Sequence, residues 1–263
     1  MRQRVFSEVH ASPQSQMQGL PHGLEDDEVL IGLRQNTSYE GLKALASELC
    51  YRLRYREAIE IYYEMERQRP DDLYPVRQRA AKHINTLQPF KAIDDFTRSR
   101  RLGALEDDIT YRIGIAYYLA GDWEMAMAEE KACLPLVDGE MGIAAIYWSC
   151  LAALKAGEIP WLLRYYSDDM YVGHHTSYRA GVRLICGLVD LDDYLKWIEE
   201  EPDDLEYAMK AYAACVVLES RGRLSERDEL LKKIVARDSF WIGYGYIAAF
   251  NDHLKLLGSG PEK

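Results

Sequence analysis

Small residues recur in this chain at a fixed interval. Ala58, Ala92 and Ala126 stand 34 residues apart, as do Ala46, Ala80 and Gly114. Around them the apolar residues follow a helical period: Leu42, Leu45, Ala46 and Leu49 share one face, and Tyr55, Ala58, Tyr62 and Met65 share another. Two helical stretches inside one repeat make a helical hairpin. The small residues have a geometric cause, because helices that approach to about 8–10 Å cannot carry a bulky side chain at the crossing. Tyr62 and Phe96, four residues after their alanines, fill the space between repeats, and Glu130 stands where the third repeat should carry an aromatic. No such hairpin buries its face alone, so neighbours must stack.

The clearest copy runs from Asp108 to Cys133. Ile109, Ile113, Ala116 and Tyr117 mark a first helix, Gly121-Asp122 breaks it, and Trp123, Ala126 and Cys133 line a second. With Gly114 at the crossing, Tyr117 one turn on and the Gly-Asp-Trp turn, this stretch resembles the tetratricopeptide repeat (TPR) family, whose spacing is also about 34 residues. The resemblance is most specific over 39–166 and is architectural beyond. It implies an all-α, right-handed TPR-like superhelix of about six hairpins with a terminal capping helix.

Residues 1–24, rich in Ser, Gln, Pro and Gly, read as a flexible arm unless something docks them, and 25–263 as one domain. A short helix is expected in 25–33. The first repeat covers 39–72 and the second 73–105, with Pro75 and Pro89 in first turns where a missing N–H costs nothing. A fourth pair takes 144–156 as its first helix, Gly157 as its turn, and a second helix opening at Pro160. Degenerate pairs follow at 178–188 with 192–201, and 204–219 with 225–236. A final helix over 239–257 carries Phe240, Trp241, Tyr244, Tyr246 and Phe250 as a cap over the last open face.

The formal charge of −11 and the absence of a basic stripe argue against nucleic acid as a partner. No apolar run reaches the ~18–20 residues of a membrane span, and the first residues lack the apolar core of a secretory signal, so a cytoplasmic protein is expected. The five cysteines are scattered without ligand spacing and read as buried free thiols. Paired acids at 71–72, 107–108 and 203–204 fall at expected helix starts, where Asp caps free N–H groups. His174-His175, near Asp168 and Asp169, is the most chemical feature, yet adjacent histidines do not make a ligand spacing, and no phosphate loop or nucleophile motif is present. Neither a cofactor nor a metal is expected, and the chain does not read as an enzyme.

TPR proteins bind a peptide or partner on the inner surface built from first helices. The register puts Lys43, Tyr74, Arg77, Gln78, Tyr111, Arg112, Tyr118, Tyr147 and Trp148 on that wall, a mixture of aromatics and cations suited to an extended segment with apolar side chains and an acidic group. The same register allows Tyr111, Tyr147 and Trp148 to pack between repeats instead. One TPR subclass clamps a terminal carboxylate; Lys43 and Arg112 match its pattern, but Ser47, Gln78 and Asp108 depart from it, and Asp108 would repel the carboxylate. The expected role is an adaptor or scaffold for a protein segment. Alternatives are a homo-oligomer joined through the aromatic C-terminal helix, and a module regulated by a ligand or metal near His174.

Overall fold

A computed structural model describes residues 10–258. Among these the chain is all-α, with fourteen α-helices, two short 3-10 turns and no strand. Contacts divide the described chain into two compact units, 10–105 and 106–258, where the sequence suggested one domain.

In 10–105 the helices are α1 (Pro13–Met17), α2 (Glu28–Arg34), α3 (Tyr39–Tyr51), α4 (Tyr55–Gln68), α5 (Leu73–Asn85) and α6 (Pro89–Arg101). α3 packs on α4, α4 on α5, and α5 on α6. Leu30, Leu42, Leu45, Leu49, Tyr62 and Met65 form one buried cluster with Ala46 and Ala58, so these small residues lie inside the core that α3 and α4 share. Phe96 and Ala92 are likewise buried. The described part of the expected flexible arm is docked. The Ala11 N–H donates to the Arg52 carbonyl at 3.0 Å, the Arg56 N–H donates to Gln16 Oε1 at 3.0 Å, and Arg56 Nε donates to the Gln16 carbonyl at 2.7 Å. Residues 1–9 of that arm lie outside the described residues.

The hairpin turns repeat in backbone detail. Leu53, Leu87 and Gly121 all adopt positive φ (59°, 50° and 83°) and stand at the same 34-residue interval as the small residues. At each, the following N–H donates to the carbonyl of Leu49, His83 or Tyr117. A left-handed residue after the last helical turn satisfies carbonyls the helix leaves unpaired. For leucine this conformation costs about 1–2 kcal/mol, which burial of both Leu53 and Leu87 offsets.

In 106–258 the helices are α7 (Glu106–Ala120), α8 (Trp123–Cys133), α9 (Gly139–Ala156), α10 (Thr176–Ile185), α11 (Leu191–Glu199), α12 (Asp204–Ser220), α13 (Leu224–Ala236) and α14 (Tyr244–Leu256). α7, α8 and α9 pack in sequence, but the fourth pair lacks its second helix. Only a 3-10 turn, Trp161–Tyr165, follows Gly157. The later helices then gather on α12, which packs against α9, α10, α11, α13 and α14. Every residue from Tyr207 to Leu218 is buried, so α12 is a central helix with no solvent face. Its one buried cation, Lys210, is paired with Glu201 at 2.6 Å and Glu206 at 3.3 Å. The final helix begins at Tyr244, later than expected. Trp241, Tyr246 and Phe250 are buried inside the unit, and Tyr246 donates to the Val235 carbonyl at 3.1 Å. No helix among the described residues is long and apolar enough to cross a membrane.

Candidate functional site

The expected groove residues separate into an exposed set and a buried set. In the unit 10–105, α3 and α5 bring Lys43 beside Tyr74, with Nζ 4.6 Å from the ring centre. Lys43 is exposed, while Tyr74, Arg77 and Gln78 are half-buried and lie on successive turns of α5. Tyr74 is held from behind by Tyr62, whose ring it meets edge-on at 6.3 Å. Asp72 caps α5 through the Tyr74 N–H at 2.8 Å and accepts from the Tyr39 hydroxyl at 2.6 Å, so capping is the role of this acid. The face therefore has a rigid base, a ring half open to solvent, and ammonium and guanidinium groups on its rim.

Inside the unit 106–258 the aromatic residues have another role. Tyr111, Tyr118, Tyr147 and Trp148 are buried, and their polar atoms bond to the chain itself. The Tyr111 hydroxyl meets that of Tyr178 at 2.8 Å and accepts from Trp148 Nε1 at 3.2 Å, Tyr147 donates to the Met209 carbonyl at 2.7 Å, and Tyr118 meets Tyr212 at 2.8 Å. Helices α10 and α12 cover the wall that these side chains were expected to expose. A peptide could touch them only by displacing those helices. Packing inside the protein is thus how these rings are used. Arg112 remains half-exposed but binds Asp108 at 2.8 Å, so the residue expected to repel a carboxylate is itself the carboxylate that Arg112 holds.

Polar groups bridge several helices of this unit. Lys155 on α9 pairs with Glu219 at 2.6 Å and Asp252 at 2.9 Å, and Asp252 also accepts from Tyr212 at 2.9 Å. Asp203, one residue earlier than expected, caps α12 through the Glu206 N–H at 3.0 Å. All five thiols are free, and burial raises the pKa of each; Cys133 reaches about 11. None is poised as a thiolate at neutral pH.

The loop before α10 carries His174 and His175, and its acids are engaged elsewhere than expected. Asp168 pairs with Arg183 and accepts from Tyr166, and Asp169 accepts from Ser167. The carboxylate that meets the histidines is Glu140, in the first turn of α9. No local motif could reveal it, because 34 residues separate Glu140 from His174. Glu130 is a second residue whose environment the sequence concealed. It is buried opposite Gly114 with neither carboxyl oxygen bonded, and burial pushes its pKa well above the ordinary value.

Neither a protein-family model nor a curated protein matches this chain.

Proposed function

We propose that the protein is a TPR-like helical-repeat adaptor whose partner is an extended, acidic protein segment bound on the face of α3 and α5. The supporting observation is the pairing of exposed Lys43 with half-open Tyr74, flanked by Arg77 and Gln78, on two helices held by a well-packed repeat. Aromatic rings that are rigid before binding bury area at low entropic cost, and an adjacent cation selects for carboxylates. The three turns at Leu53, Leu87 and Gly121 support the repeat assignment, since they reproduce one backbone conformation at the TPR interval. The sequential packing of α3 to α6 within the first unit and of α7 to α9 within the second supports stacked helical hairpins, and a right-handed superhelical path is part of this reading. The later helices depart from it by gathering on α12.

The test is selection of peptides from a displayed library by the full chain. Enrichment of acidic peptides with an aromatic or aliphatic anchor, lost with Lys43→Glu plus Arg77→Glu, is the expected result. Enrichment of basic peptides, or retention by the double variant, would contradict the site. Association through the aromatic C-terminal helix is less favoured, because Trp241, Tyr246 and Phe250 are already enclosed.

A further inference from the structure

We infer that Glu140, His174 and His175 form a binding site for a divalent transition-metal ion, Zn2+ foremost, that ties the loop before α10 to the start of α9. One ligand atom from each of the three lies within 4.8 Å of the others. Two imidazole nitrogens and one carboxylate oxygen are a donor set that favours zinc and its neighbours over Ca2+ or Mg2+, which take oxygen.

The site is built by the fold. Gly173 has φ of +50°, and a Cβ there would lie 2.4 Å from Glu140 Cδ, so only glycine lets the carboxylate reach this loop. On the other side, a Cβ on Gly139 would lie 2.5 Å from the Tyr171 carbonyl oxygen. Val172, between them, is buried and anchors the segment. His174 Nδ1 contacts Glu140 Oε1 directly, and the His174 N–H donates to the same oxygen at 3.4 Å. His175 Nδ1 stands 2.6 Å from the Glu140 carbonyl oxygen, and its ring packs edge-on against Tyr178 at 5.1 Å. An imidazole that donates one nitrogen to a carbonyl presents the lone pair of the other, the usual way in which a metal-bound histidine is held and oriented. The adjacency that made His174-His175 unpromising is resolved by the turn at Gly173. The two rings lie 4.4 Å apart with their planes tilted by 58°, and Glu140 supplies the third donor. Because the His174 side chain is 69% exposed, an ion held here keeps an open side for water or a donor from another molecule.

The experiment uses the full chain without an affinity tag, stripped with a chelator and titrated with Zn2+ by calorimetry. Co2+ absorption is recorded in parallel. The expected result is one equivalent bound, affinity reduced about tenfold or more in Glu140→Gln and in His174→Ala, and Co2+ bands without thiolate charge transfer. Gly173→Ala, which removes no ligand but crowds Glu140, should weaken binding as well. His174→Ala deletes an exposed ring, and an unchanged circular dichroism spectrum checks that it folds. Absence of Zn2+ binding by the wild-type chain, equal affinity in the variants, or a thiolate charge-transfer band would each overturn the site.

Discussion

Two buried titratable groups give the protein opposite responses to pH. Glu130 has no bonding partner for either oxygen, and burial raises its pKa well above 4.5. The folded chain therefore holds a proton that the unfolded chain releases above about pH 4.5. The resulting stability is complete below that pH and declines as pH rises, by up to about 1.4 kcal/mol per unit. Glu130→Gln keeps the shape and removes the titration. Urea unfolding between pH 5 and 8 should show a shallower loss of stability in this variant; an unchanged slope would contradict the assignment. His83 on α5 behaves in the reverse sense. Burial, with Arg79 beside it, depresses its pKa from 6.5 to about 3. In acid the unfolded chain binds the proton that the folded one refuses, so stability falls as pH drops below about 6.5 and continues to fall towards 3. His83→Leu should flatten that acid limb, and a wild-type limb would argue against a neutral buried imidazole. The burial of neither group was legible, because exposure depends on which helix packs opposite. Glu130 was visible only as a departure from an aromatic position.

At the scale of elements, helix bounds were read from punctuation and period, and most agree. α12 and α13 lie within a residue of the expected 204–219 and 225–236, since the acid pair at 203–204, Gly222 and the apolar pattern mark their ends. The second helix after Gly157 failed because Pro160 opens a segment that makes only a 3-10 turn before the chain leaves for the loop. What the period could not show is that α12 has no outer face. Its apolar run satisfies a buried helix as well as an amphipathic one. The close approaches around it are set by glycines. A Cβ on Gly181 of α10 would lie 2.5 Å from the Tyr147 ring and 3.0 Å from Ala213 Cβ, and one on Gly245 of α14 would lie 2.8 Å from Met209 Cα. Gly181→Ala and Gly245→Ala should each cost about 1–3 kcal/mol by overpacking, read as a lower melting temperature. Gly32→Ala on α2, where nothing lies within 4 Å, should stabilise by about 0.5–1 kcal/mol through helix propensity. Equal melting temperatures for all three would contradict the packing described.

At the scale of the whole molecule, the 34-residue interval was enough to place the hairpins but not to say where the repeats stay open. In the unit 106–258 the chain's own α10 and α12 occupy the wall of first helices, so Tyr111, Tyr118, Tyr147 and Trp148 serve the interior. In the unit 10–105 the corresponding residues of α3 and α5 remain at the surface. The small residues at the 34-residue interval are the same in both situations, because they report contacts within helical hairpins and not what covers them. The proposed partner face is therefore that of Lys43, Tyr74, Arg77 and Gln78. The most direct measurement is affinity purification from native extract with three baits: wild type, Lys43→Glu with Arg77→Glu, and a control with Lys232→Glu and Lys233→Glu on the exposed side of α13, all shown by circular dichroism to fold. A partner kept by the wild type and the control but lost by the α3–α5 variant, and bound by the purified wild-type chain through an acidic segment, is the predicted result. The same partners on all three baits, or none on any, would contradict it.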